Sequence, residues 1–223
     1  TGGGCRASNY IFLLRKALKN ACMGQVPVVS VNLSGLEKNS GFKITLPLLR
    51  RALAALTYGD LLMLLRNQTR PYEKNPGETD ALVDKWVDDI CTRFLKGKGF
   101  QKKQIRTLTR EIVASFDRIE ILPVKKIRVG IVGEIYAKYS PLANNHLEDF
   151  LRSQDCEVNV PGIMAFMLFK VDNRLEDIKL YGGNPLKKFV IQILYDYLEV
   201  FERYTLDAVS ISARYHKPAS YRA

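Results

Sequence analysis

The spacing of apolar residues predicts several amphipathic helices. Between Tyr10 and Ala21 the apolar positions recur every three or four residues, which is typical of a helix that buries one face. The same spacing predicts a helix over 46–67, kinked near Tyr58 and Gly59, and two more over 78–96 and 103–119. Residues 163–214 are also expected to be mainly helical.

Three short apolar runs favour strands. Residues 25–32 are rich in valine, 126–135 show little alternation, and 156–160 end at a Pro-Gly pair. A run without alternation indicates a strand covered on both faces, as in a parallel sheet. The second strand, the loop 136–144, a helix over 145–153 and the third strand form a strand–loop–helix–strand unit.

The predicted fold is therefore α/β, with a Rossmann-like open, mostly parallel sheet, a helical insertion and a helical C-terminal part. We expect three parts, 1–57, 58–124 and 125–223. The glycines of the second strand do not form a G-x-G-x-x-G sequence, so no dinucleotide site is inferred.

Composition narrows the possible functions. The chain has 223 residues and a formal net charge of +11. Nucleic acid is the usual partner of so basic a chain, but the lysines and arginines are spread out, and no known nucleic-acid-binding pattern is visible. A solvated basic face, an acidic partner protein or the phosphates of a coenzyme explain the charge as well. No apolar run is long enough to span a bilayer, and we do not expect a membrane among the partners of this chain.

The four cysteines are far apart and fit neither a zinc nor a disulfide spacing, which favours reduced thiols and a cytoplasmic location. Cys22, Cys91 and Cys156 are interpreted as small buried apolar residues. Cys5 differs because it follows three glycines and precedes a predicted helix, whose N-terminal N–H groups favour a thiolate. A free thiol at a helix start is the alternative.

Four segments resemble proteins related to 2-hydroxyacyl-CoA dehydratases, in particular the dehydratase-like region of activators of (R)-2-hydroxyglutaryl-CoA dehydratase. They are Gly-Gly-Gly-Cys-Arg-Ala-Ser-Asn-Tyr-Ile at 2–11, the segment 58–73, Arg-Val-Gly-Ile-Val-Gly-Glu-Ile-Tyr at 128–136, and Tyr-Ser-Pro-Leu-Ala-Asn-Asn at 139–145. The resemblance covers residues 1 to about 151. The chain starts inside such a segment, so we expect it to be a piece of a longer protein.

The resemblance implies a [4Fe–4S] cluster, with Cys5 as one metal ligand and the other ligands elsewhere in the parent protein. It also implies that the protein transfers electrons at low potential for acyl-CoA dehydration and is a component of a lyase system. Acyl-CoA, other domains of the parent chain or a dehydratase subunit are the implied partners. No phosphate-binding loop is seen, so ATP hydrolysis is expected elsewhere.

The loop after the second strand lies at a sheet edge where α/β proteins build their sites. Glu134 is the candidate acid or base, and Ser140 the second candidate catalytic residue. The candidate substrate-binding residues are Arg6, Asn9, Tyr136, Tyr139, Asn144 and Asn145. The alternative is structural, with Asn144 or Asn145 capping a helix and Tyr136 packing.

Arg66, Arg70, Tyr72 and Glu73 lie in one of the resembling segments, where a loop held by ordinary ion pairs is the simplest explanation. Two other functions remain open: a non-catalytic α/β scaffold or partner-binding module, and a basic nucleic-acid-binding domain.

Overall fold

The computed structural model describes residues 9–28 and 45–216. Eight α-helices and two strands are found in these ranges. They are α1 (Tyr10–Asn20), α2 (Leu46–Thr69), α3 (Glu78–Leu95), α4 (Lys102–Phe116), β1 (Ile127–Gly130), α5 (Ile135–Tyr139), α6 (Leu147–Ser153), β2 (Cys156–Asn159), α7 (Ile163–Tyr181) and α8 (Pro185–Val209). A 3₁₀ turn at Arg70–Tyr72 follows α2. The protein is mostly helical, and none of the described helices is both long and apolar enough to cross a membrane.

Helix α2 is the centre of the main core. It contacts α3, α4, α7, α8 and β2. Leu53, Tyr58, Leu61 and Leu65 are almost completely buried along it. Burying an aliphatic or aromatic side chain of this size contributes about 1.5–3 kcal/mol, so α2 supplies a large part of the driving force for folding.

The predicted kink in α2 is wrong. The helix is continuous through Tyr58 and Gly59, and nothing lies within 4 Å of a Cβ built at Gly59. Pro47 occupies the first turn, as predicted, where its missing N–H costs no helical hydrogen bond. The Tyr58 hydroxyl donates to the carbonyl of Gly99 (2.6 Å), which fixes the turn between α3 and α4 on α2.

The two strands are parallel, with Arg128 paired to Glu157 and Val129 to Val158. Helices α5 and α6 form the crossover between them. The predicted parallel unit is therefore confirmed, but β1 is shorter than predicted, and Ile127 is 74% exposed. The expectation that both faces of this strand are covered is wrong. Within the described residues the sheet has two strands, so the wider Rossmann-like sheet stays a prediction.

Helix α1 forms as predicted, but none of its residues is buried, so the expected buried stripe is not found. Of the predicted strand at 25–32, residues 25–28 are not in a strand and residues 29–32 lie outside the described residues. The boundaries at 57 and 124 stay predictions, although α2 runs across the first of them.

One carboxylate joins α2 to the segment that follows β2. Asp60 accepts hydrogen bonds from the backbone N–H groups of Ile163 (2.9 Å) and Met164 (2.8 Å), at the N-terminus of α7. A Cβ placed on Gly162 would lie 2.6 Å from Asp60 Oδ2, so only glycine fits beside the carboxylate. Asp60 therefore caps α7 from a different helix.

We expect Gly162→Ala to lower the free energy of unfolding by about 1–3 kcal/mol because the added methyl group pushes Asp60 away from the α7 N-terminus. Chemical denaturation measures the loss. In an Asp60→Ala background the same substitution should cost much less, since the clashing carboxylate is gone. An equal cost in both backgrounds would contradict the proposed contact.

Desolvation raises the pKa of Asp60 above its usual 3.8 in the folded state, against the opposing effect of its two backbone hydrogen bonds. The folded state therefore holds this proton more tightly than the unfolded state. The resulting stabilisation is complete below the unfolded pKa and is lost as the pH rises through the folded pKa. We expect the stability difference between wild type and Asp60→Asn to change over this acidic range, and a difference independent of pH would contradict the assignment.

Candidate functional site

The predicted catalytic loop is partly helical. Residues 135–139 form α5, so the loop predicted at 136–144 is wrong over its first four residues. The cause is Glu134, whose Oε2 accepts hydrogen bonds from the N–H groups of Tyr136 (2.9 Å) and Ala137 (3.3 Å) and so caps the helix. Glu134 Oε1 is buried and has no hydrogen-bond partner among the described residues.

Ser140 and the two asparagines hold the turn between α5 and α6. The Ser140 carbonyl accepts hydrogen bonds from the N–H groups of Ala143 (3.0 Å) and Asn144 (3.1 Å). Asn144 Oδ1 accepts from Leu147 N (3.2 Å) at the start of α6, but the N-cap residue is His146, so the prediction of Asn144 or Asn145 at the N-cap position is wrong. Asn145 has a left-handed backbone with φ of 54°. The structural interpretation of the asparagines is therefore well supported.

The tyrosines of this loop differ in their contacts. Tyr139 donates a hydrogen bond to the Pro161 carbonyl, and the Lys138 ammonium lies 4.4 Å from its ring centre. The Tyr136 ring is 46% exposed and packs against Tyr10, with 5.5 Å between ring centres. Asn9 precedes Tyr10 at the start of α1. The structure thus brings Asn9 and Tyr136 to one region, whereas Cys5 and Arg6 lie outside the described residues.

A second cluster was not predicted from the sequence. The Glu157 side chain on β2 is only 2% exposed. The Tyr72 hydroxyl donates to Glu157 Oε2 (2.6 Å), and Arg128 Nε on β1 lies 3.4 Å from the same oxygen. His216 Nε2 lies 3.0 Å from Glu157 Oε1, although the two atoms are not aligned for a hydrogen bond. We call these four residues the Glu157 cluster.

Burial and contacts within the Glu157 cluster shift the pKa values of Tyr72 and His216. Burial raises the pKa of Tyr72 to about 12, and the hydrogen bond to Glu157 and the Glu157 charge act in the same direction. The Tyr72 hydroxyl therefore stays a donor at neutral pH. Burial lowers the pKa of His216, although the Glu157 charge opposes this effect. The lowered pKa favours the neutral form of the imidazole.

The Glu157 cluster lies beside a cavity of about 540 Å³. Gln68 on α2 fixes one wall, since its amide donates to the His216 carbonyl (2.8 Å) and accepts from His216 N (3.0 Å). The cavity is lined by Gln68, Tyr72, Ile121, Leu122, Pro123, Val124, Lys125, Lys126, Arg128, Glu157, Arg214 and His216. The available sequence signal was the occurrence of Arg128 and Glu157, two charged residues, inside otherwise apolar strands.

The segment after α2 is held by ion pairs, as expected. Asp80 accepts from Arg66 Nε (2.6 Å) and lies 3.2 Å from Arg70 Nε. Glu73 accepts from the N–H groups of Gly77 and Thr79 (both 2.8 Å), which orders the start of α3. Tyr72 is therefore the residue of this segment that reaches the cavity.

The described cysteines do not form a metal site. Cys156 is buried, as predicted, but Cys22 and Cys91 are exposed, so their interpretation as buried residues is wrong. Within 9–28 and 45–216, no three histidine, cysteine or carboxylate side chains come together in a way that could hold a metal ion. The described residues therefore do not by themselves fit an iron–sulfur cluster.

Comparison with known proteins does not place the chain in a family. No family model, no curated protein and no solved structure matches it.

We expect Tyr72→Phe to lower the free energy of unfolding by about 1–3 kcal/mol because the buried Glu157 carboxylate loses its hydroxyl donor. Thermal or urea denaturation measures this loss. Tyr181→Phe is the matched control, since Tyr181 is 83% exposed and should tolerate the change. Equal stability of the two variants would show that the Tyr72–Glu157 hydrogen bond contributes nothing.

Proposed function

We propose that this chain is a region of an iron–sulfur protein related to 2-hydroxyacyl-CoA dehydratases or their activators. In this proposal it takes part in low-potential electron transfer to acyl-CoA dehydration in the cytoplasm, on a Rossmann-like fold. The proposal starts from the residues at 2–11, 58–73, 128–136 and 139–145 that carry the resemblance. Acyl-CoA is the proposed substrate class.

One contact in the structure supports this proposal. The Tyr10 and Tyr136 rings pack with 5.5 Å between their centres. The helix that directly follows the glycine–cysteine segment is thereby held against α5, which is part of the predicted catalytic loop. Two segments that resemble the same family, far apart in sequence, thus come together.

Within this region Glu134 is our candidate acid or base. Its Oε2 is used in capping α5, whereas its buried Oε1 has no hydrogen-bond partner among the described residues and can accept or hold a proton. Of the candidate substrate-binding residues, Tyr136 donates its N–H to Glu134, and Asn9 precedes Tyr10, whose ring packs on Tyr136. Tyr139, Ser140, Asn144 and Asn145 shape the turn.

The iron–sulfur cluster enters the proposal through Cys5 alone. When bound, an iron–sulfur cluster supplies single electrons at low potential. Because the described residues offer no complete ligand set, we derive no reaction step through it.

We expect anaerobic iron–sulfur reconstitution of the protein that contains this chain to load a cluster in the wild type and to fail or yield much less iron in Cys5→Ala. Iron counting and EPR spectroscopy measure the result. Cys91→Ala is the matched control because Cys91 is an exposed thiol on α3, and it should load like the wild type. Equal loading of the two variants would contradict the assignment of Cys5.

The second candidate function, a partner-binding module, is favoured by the first half of α8. Its residues are apolar around most of the helix, a pattern typical of a helix that is covered on all sides. One side packs on α7, but five large apolar residues on α8 are 44–69% exposed. They are Leu186, Phe189, Val190, Ile193 and Leu194, which we call the α8 patch. Such contiguous exposure marks interaction surfaces.

The charges beside the patch indicate its partner. Lys187 and Lys188 are exposed within the same two turns, and the whole chain has a net charge of +11. A complementary surface is therefore apolar and bordered by carboxylates. We propose that a dehydratase subunit supplies this surface.

We expect Phe189→Glu to weaken binding to purified dehydratase subunits at least tenfold, because the glutamate places a charge in the apolar contact. Binding is measured by calorimetry or size-exclusion chromatography with light scattering. Val87→Glu is the matched control, a change from an apolar residue to glutamate at an exposed position of α3. Unchanged binding in Phe189→Glu, or a patch that only joins two copies of this chain, would contradict the proposal.

A further inference from the structure

Arg214 lies just after α8 and is built into the fold through one nitrogen. Its Nη1 donates to the carbonyl oxygens of Phe116 (3.2 Å), Asp117 (3.2 Å) and Ile119 (2.9 Å), at and just after the C-terminal end of α4. The positive charge is favourable there because helix carbonyl dipoles point toward it. The position of the guanidinium is therefore fixed.

The other two nitrogens of the Arg214 side chain, Nε and Nη2, do not take part in these hydrogen bonds. Nε and Nη2 are buried and have no hydrogen-bond partner in the described part of the chain. A buried donor without a partner is costly, and such groups are rare in folded proteins. Together Nε and Nη2 form one edge of the guanidinium, whose two parallel N–H groups match a pair of oxygens on a carboxylate or phosphate.

The charges around the cavity favour an anion. Arg214 lines the cavity with Lys125, Lys126 and Arg128, and the carboxylate in its wall is Glu157. Lys126 forms an ion pair with Asp155, and Asp155 is not part of the cavity lining. Of the four cations, Lys126 is offset by Asp155 and a second charge by Glu157, which leaves an excess of two positive charges.

Glu157 is already engaged by side chains of the cavity wall. Its Oε2 accepts from the Tyr72 hydroxyl at 2.6 Å and lies 3.4 Å from Arg128 Nε, and its Oε1 faces the His216 ring at 3.0 Å. The carboxylate is held against the wall by these three side chains. An anion in the cavity is therefore drawn to Lys125 and to Arg214.

We propose that this cavity binds the phosphate dianion of a small molecule, held by the Nε and Nη2 edge of Arg214 and by Lys125 and Arg128. Two excess positive charges match a dianion better than a singly charged carboxylate. A volume of about 540 Å³ also accommodates an organic group attached to the phosphate. The site contains neither Cys5 nor Glu134, so it stands or fails independently of the iron–sulfur function.

Isothermal titration calorimetry of the full chain with inorganic phosphate and with glycerol 3-phosphate, at constant ionic strength, tests the site. We expect saturable binding with one site per chain. Arg214→Lys keeps the charge but removes the two-pronged edge and should weaken binding about tenfold. Arg128→Gln, at a side chain that is 62% exposed, should also weaken binding.

Arg118→Gln is the matched control, since Arg118 is exposed, lies outside the cavity lining, and carries the same charge as Arg128. It should bind phosphate like the wild type. Should Arg214→Lys fail to fold, Arg128→Gln and Lys125→Gln measured against this control decide the question. No saturable binding, an equal loss in Arg118→Gln, or tighter binding of acetate than of phosphate would overturn the proposal. Tighter binding of glycerol 3-phosphate than of inorganic phosphate identifies a phosphate monoester as the ligand, and the reverse identifies free phosphate.

Discussion

The burial of α2 is the constraint on which the described structure depends. Four helices and β2 pack on this one helix, and its side chains include many of the most completely buried residues of the core. Asp60 extends this control to the segment after β2, because its carboxylate accepts the first two N–H groups of α7. The position of β2 is thus set from both sides, by its pairing with β1 and by the helix that follows it.

The same helix positions the Glu157 cluster and the cavity. Gln68 near its end fixes the backbone of His216, and Tyr72 follows in the adjoining 3₁₀ turn and donates to Glu157. Residues from three distant parts of the chain therefore meet at one buried carboxylate. Because each is fixed by backbone or carboxylate hydrogen bonds, the cavity wall is preorganised.

The local spacing of apolar residues predicted most of the helices but not the Glu157 cluster. The helices at 78–96 and 103–119 lie within three residues of α3 and α4, since their apolar spacing and glycine boundaries are local signals. The strand at 126–135 was too long, because an apolar run cannot show where a partner strand ends or that Glu134 caps a helix. Glu157 and His216 are 59 positions apart, and no local signal joins them. Asn144, by contrast, does accept a hydrogen bond at the start of α6, because capping residues are a local signal, although the N-cap position belongs to His146.

The central functional claim is that this protein carries electrons at low potential through an iron–sulfur cluster. An EPR-monitored redox titration of the natural protein, purified without exposure to oxygen, tests it most directly. The account predicts bound iron and sulfide and a paramagnetic signal that develops only under strongly reducing conditions. A protein free of iron, with no signal at any potential, would contradict the claim and leave the partner-binding module as the better explanation.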